Sequence, residues 1–217
     1  MLKKLNIELK EFLTNYFDGL TIKKPLFYNH KIGIRFNLQI EADTDEEYFT
    51  EVDKRSVLLF ESVFCNDDDI YIVFYDYKYK KNKIRIGNYC LKQVSDFTNK
   101  NVDYLLVRQL YGNDFHKDLY NRAIVKTKVG KVNYKNILDA IGKIDFPPLK
   151  PRIDKKGFLS NKEIFFINQN KKIIFNMYDD RGLDIIATKK DDLLGIYQKY
   201  NDWILEYDRK GIDTIFS

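Results

Sequence analysis

Ile164-Phe165-Phe166-Ile167-Asn168-Gln169-Asn170-Lys171-Lys172-Ile173-Ile174-Phe175-Asn176-Met177-Tyr178-Asp179-Asp180-Arg181-Gly182-Leu183-Asp184-Ile185-Ile186-Ala187 is the stretch that decides the fold. Three apolar runs, Ile164–Asn168, Lys172–Tyr178 and Leu183–Ala187, are separated by Gln169-Asn170 and by Asp179–Gly182. Asn, Asp and Gly are the residues that tight turns demand. The runs therefore read as a three-stranded antiparallel meander. Behind it Leu193, Ile196, Tyr197, Tyr200, Trp203, Ile204 and Tyr207 recur at helical spacing. This predicts one long amphipathic helix, capped by Thr188 and carrying the only tryptophan. A meander backed by a helix makes the fold α+β, with an antiparallel or mixed sheet flanked by helices.

Earlier elements agree with that class. Leu2, Leu5, Leu9, Phe12, Leu13, Tyr16 and Phe17 mark a first helix, ended by Asp18-Gly19. Ile32 to Ile40 alternates apolar residues with Gly33, Arg35, Asn37 and Gln39, a strand expected to meet water on its polar face. Thr44 and Glu47 form a capping box at the head of a second helix. Ile70 to Tyr77 is apolar on both faces, which suits a central strand. Lys78–Lys83 then reads as a loop leading to a strand near Ile84–Leu91, the second arm of a hairpin. Val102–Tyr111 is read as a strand within the poorly patterned stretch 92–120, and Arg122–Val132 as a further strand. Asn133 caps a short helix that ends before Pro147-Pro148. Residues 1–217 are read as a single domain, and a sub-boundary, if one exists, falls in the Pro/Lys-rich connector 147–157.

The chain has 217 residues, 44% hydrophobic and 15% aromatic, enough to bury a sizeable core. No run approaches the roughly 18 apolar residues of a membrane helix. Met1-Leu2-Lys3-Lys4 lacks the unbroken apolar segment of a secretion signal, so a soluble cytoplasmic protein is expected. Cys65 and Cys90 form no C-x-x-C and read as buried free thiols. With His30 and His116 they do not make a zinc pattern, and no metal or other cofactor is implied. The net charge is +5, and only 8 of the 37 basic residues are Arg. Lysine is the weaker choice for forked recognition of phosphate or guanine. The Lys, Asn, Ile and Tyr bias with four alanines reads as an AT-rich genome's composition.

Candidate sites compete with plain structural readings. Tyr178, Asp179, Asp180, Arg181 and Asp184 make a turn, and Asp and Gly are there for turn chemistry alone. Yet three carboxylates, an arginine and a tyrosine also suit a charge-complementary partner contact. The Asp179/Asp180 pair offers acid–base chemistry, but no second catalytic group can be named. Asp67-Asp68-Asp69 has the oxygens for magnesium and, more plainly, the character of a solvated loop. Residues 117–156 carry a net charge of +7, and Lys126 and Lys128 on one strand face would attract phosphates. No aromatics interleave with these lysines as in single-strand binders. Residues 178–217 carry −3, so the chain is polarised in a way that steers a charged partner. Trp203 reads as core, with a partly exposed anchor as the alternative.

The block Ile164–Asn168 with Ile174 to Asp184 resembles the bacterial "domain of unknown function 3885" family. So does Leu194 to Phe216 with Tyr200-Asn201-Asp202-Trp203-Ile204-Leu205-Glu206-Tyr207-Asp208-Arg209. The front half is similar through Leu26-Phe27-Tyr28-Asn29, Gly33-Ile34-Arg35-Phe36 and Leu59-Phe60-Glu61. The resemblance implies a bacterial, cytosolic, single-domain protein and carries no assigned activity or catalytic residue. Proteins of this sort also look like immunity proteins of toxin systems, a class analogy. The expected function is a non-enzymatic protein-binding module, an immunity-type inhibitor whose partner is another protein such as a toxin. The alternatives are an enzyme using Asp179 and Asp180, or a nucleic-acid binder using the 117–156 lysines.

Overall fold

A seven-stranded, wholly antiparallel sheet forms the centre of the computed structural model, which describes residues 3–77, 88–112, 119–153 and 162–217. The strands are β1 Gly33–Asn37, β2 Asp69–Tyr77, β3 Val102–Arg108, β4 Leu119–Lys128, β5 Lys162–Asn168, β6 Ile173–Asp179 and β7 Gly182–Ala187. Their order across the sheet is β1-β7-β6-β5-β2-β4-β3. β5, β6 and β7 form the expected meander, and β5 pairs directly with β2 from the other side of the 147–157 connector.

The helices are α1 Lys4–Tyr16, α2 Asp45–Val63, α3 Tyr134–Gly142, α4 Asp191–Lys199 and α5 Arg209–Phe216. They cover both faces of the sheet. On one face α2, α3, α4 and α5 pack on Ile34, Phe36, Ile72, Val125, Phe166, Phe175 and Ile185. On the other, α1 and the segment through Ile22 and Leu26 pack on Tyr71, Val73, Ile124, Phe165, Ile174 and Ile186. Two cores explain why the middle strands are apolar on both sides.

Local signals act as chemistry requires. Thr44 Oγ1 accepts from Glu47 N at 3.2 Å, while Glu47 reaches back to Asp43 N at 3.3 Å. Asn133 Oδ1 accepts from Asn136 N and opens α3. Asp18 and Gly19, at φ 52° and 74°, end α1. The head of α1 is capped from a distance, by Asp103 Oδ2 on β3 accepting from Leu5 N at 2.7 Å.

Four expectations need correction. The expected polar face meets water only at its far end, where Asn37 is partly exposed and Gln39 exposed: Arg35 is buried, because the segment through Leu26 and Phe27 lies over it. No hairpin runs from β2 into 88–91: both edges of β2 are taken, by β4 and β5, and Leu91 begins a 3-10 turn. The rest of that expected strand, 84–87, lies outside the described residues, as do the 78–83 loop and His116. Cys65 is exposed on the turn after α2, while Cys90 is buried. The C-terminal helical stretch comes as α4 and α5, with Lys190 in the cap position that Thr188 was expected to take. Between the two helices Ile204 bridges Phe36, and Leu205 N donates to Arg35 O at 2.9 Å. The open edge of β1 draws this segment out of helix, since unpaired strand groups need partners.

Candidate partner-binding site

The turn between β6 and β7 is built inward. Asp179 and Asp180 are 4% and 5% exposed, Asp184 is fully buried and Tyr178 is half-buried; Arg181 alone among the five is exposed. A bulge at Tyr178 lets Asp179 pair with Gly182. Gly182 is obligatory: a Cβ there would collide with the Phe36 carbonyl and the Tyr178 hydroxyl.

Asp179 accepts from the Arg181 backbone N–H at 2.8 Å and Nε at 2.9 Å, and its Oδ2 also meets Arg181 Nη2. Asp180 accepts from the Tyr48 hydroxyl at 2.6 Å, tying the turn to α2. Burial, aided by that bond and by Asp180's charge, pushes the Tyr48 hydroxyl up to about 12. Burial also raises the Asp180 carboxyl above its ordinary value, although Tyr48 works against the rise.

Asp184 belongs to a different network. Arg35 grips it with Nε–Oδ1 at 2.8 Å and Nη2–Oδ2 at 3.1 Å, and Phe27 N donates to the same Oδ2. Arg35 Nη1 also lies 3.5 Å from Asp208, which accepts from the Tyr28 hydroxyl at 2.8 Å. The guanidinium sits 4.5 Å from the centre of the Tyr28 ring. Burial opposes the Arg35 charge, but Asp184 more than compensates and raises its pKa. The five residues thus split into a turn cluster and a buried clip.

Oxygens of Asp145, Asp179 and Asp180 lie within 4.8 Å of one another. Three carboxylates suit a hard divalent cation. Arg181, however, already supplies positive charge to Asp179 and faces Asp145 at 3.9 Å. Of the triple aspartate, Asp68 is a junction: it accepts from Cys65 N and Asn168 Nδ2 at 2.8 and 2.7 Å. The two lysines of the β4 face are also committed. Lys126 bonds Glu8 at 2.8 Å, and Lys128 lies 3.5 Å from Asp69. Lys117, Lys155 and Lys156 lie outside the described residues. Trp203 is half-buried, stacked on Tyr200 with ring centroids 4.8 Å apart, and the Arg55 guanidinium lies over it at 5.0 Å.

What the turn leans on is more exposed than the turn itself. Residues 41–47, Glu-Ala-Asp-Thr-Asp-Glu-Glu, are exposed throughout and contain no cation. Glu41, Thr44, Glu46 and Glu47 line a shallow concavity of about 600 Å³, together with Ile40, Thr50, Glu51 and Arg55. Leu38 N donates to Arg181 O at 3.0 Å, so this face continues into the turn and Asp145. Local patterning does not single it out, because Thr44 and Glu47 are equally what a capping box requires. The run of like charge was itself the available signal.

A family description, Domain of unknown function (DUF3885), matches residues 9–208. The chain belongs to this family. Among curated proteins the chain is similar to the uncharacterized protein YnaE of Bacillus subtilis (strain 168). The two are 25% identical over 208 residues, covering 90% of this chain and 96% of the relative. No solved structure matches the chain. No helix among the described residues of this DUF3885 chain is long and apolar enough to cross a membrane.

Proposed function

We propose that this DUF3885 protein is a non-enzymatic protein-binding module that engages a basic partner, and that it serves in the bacterial cytoplasm as an immunity-type inhibitor of a toxin. The observation that carries the reading is the exposed, cation-free run Glu41–Glu47 beside the Asp145–Arg181 turn. An excess of negative charge on a preformed face steers and selects a partner of the opposite sign. Toxins that handle phosphates present basic clefts, and an acidic face is their complement. Blocking such a cleft needs shape and charge but no chemistry. Arg55, in the lining of the concavity, also lies over the ring of Trp203, an aromatic neighbour of the kind that interface centres favour.

The alternatives have less behind them. An enzyme working through Asp179 and Asp180 would have to free carboxylates already held by Arg181 and Tyr48. A nucleic-acid binder would have to release Lys126 and Lys128 from Glu8 and Asp69. The test is complex formation with the products of the neighbouring genes, comparing the native chain with Glu41→Lys/Asp43→Lys/Glu46→Lys. Salt-sensitive binding that the charge reversal abolishes supports the reading. Binding that ignores the reversal removes the acidic face from it.

A further inference from the structure

The contact between α2 and α3 contains more acid than its one cation can neutralise. Asp53 on α2 and Asp139 on α3 lie close enough for the charge of one to act on the other, and the buried Oδ1 of each makes no hydrogen bond among the described residues. Asp53 Oδ1 is sealed from solvent beside Gly142. The charged and titratable neighbours are few. Lys143, just past α3, pairs with Asp139, and Tyr89 faces Asp139 from the turn before residues 91–93. From β6, Met177, which does not titrate, lies against the same Gly142.

Two ionised carboxylates against one ammonium would leave an uncompensated negative charge between the helices. Desolvation and like charge both oppose that state, and a shared proton relieves it. Burial first, and then the charge of Asp139, push the Asp53 carboxyl up to about 7.

We propose that Asp53 and Asp139 form a proton-linked clasp, which joins α3 to α2 while it holds one proton and slackens when it loses it. The inference concerns the helix pair and stands whether or not the acidic face binds a protein. The direction follows from linkage. A carboxyl raised above its unfolded value stabilises the docked state fully below that unfolded value. The contribution is then lost as pH rises through the folded one. Between the ordinary carboxylate value of about 4 and a value near 7, each pH unit raises the opening constant by up to about tenfold.

The test is a carboxyl NMR titration of the full chain, with amide hydrogen exchange across α3, Tyr134–Gly142, followed from about pH 5 to about pH 8. Native protein is compared with Asp53→Asn and Asp139→Asn. The clasp predicts one apparent titration of the pair near neutrality. After correction for intrinsic exchange, it also predicts opening of α3 that grows with pH in the native chain and is flat in either variant. Titration of both carboxyls below about 5, or a pH response of α3 that Asp53→Asn leaves unchanged, overturns it. If one variant does not fold, the other variant and the native titration decide.

Discussion

Arg35 on β1 holds Asp184 on β7 through two hydrogen bonds of 2.8 and 3.1 Å, and no part of Asp184 is exposed. Two neighbouring strands are therefore joined across their side chains as well as their backbones, at the pair where their register sets Arg35 opposite Asp184. Through Asp208 and Tyr28 the same arginine reaches the segment before α5 and the turn before β1.

Arg35→Ala should cost about 3 to 5 kcal/mol, because it strands a buried carboxylate rather than merely deleting a contact. Urea denaturation measures this. A loss under about 1 kcal/mol would mean that Asp184 finds another partner.

Gly182→Ala should weaken the β1–β7 pairing specifically. The added methyl meets the Phe36 carbonyl, so β1 must shift or the turn must reopen. The expected cost is about 1 to 3 kcal/mol. Amide exchange should rise across Gly33–Asn37, while the β2–β4 pair at the other side of the sheet keeps its protection.

Leu205→Pro isolates one hydrogen bond. Ile204 and Leu205 already have φ near −60° and extended ψ, so proline fits both positions without strain. What is lost is the N–H donated to Arg35 O, worth about 0.5 to 1.5 kcal/mol. The exposed β1 edge should then make the protein self-associate with rising concentration. Light scattering that stays monodisperse at all concentrations would refute this.

The two thiols should react unequally. Burial pushes the Cys90 thiol up to about 12 and closes it off, whereas Cys65 is exposed with Lys171 Nζ 3.2 Å from its sulfur. A thiol reagent should modify Cys65 alone under native conditions and both cysteines in denaturant.

The sequence carried much of the architecture because patterning is a local record of burial. Two-sided apolarity placed β2 in the middle of the sheet, and the turn residues at 169–170 and 179–182 placed the meander. The burial of Arg35 is not legible in the sequence, because alternation reports polarity and is silent on what covers the polar face. Here a loop from the opposite core does so. Asp179, Asp180 and Asp184 were legible as a cluster, but their burial depends on Arg181, Tyr48 and Arg35, and the last two lie more than a hundred residues away in sequence. The break at 200–208 was equally hidden. It is imposed by the edge of β1, and nothing in the helical spacing of Tyr200, Trp203 and Ile204 records that edge.

Binding of a basic partner through Glu41–Glu47 and the adjoining turn is the proposed role of this protein. Titration calorimetry against the purified products of the genes beside it, with native protein and with Glu41→Lys/Asp43→Lys/Glu46→Lys, is the direct test. Such a role predicts a stoichiometric complex with the native chain that weakens with salt. It also predicts that the charge-reversed chain shows no measurable binding although it melts within a few degrees of native. Absence of a complex with the native chain, or equal affinity for both chains, would contradict it.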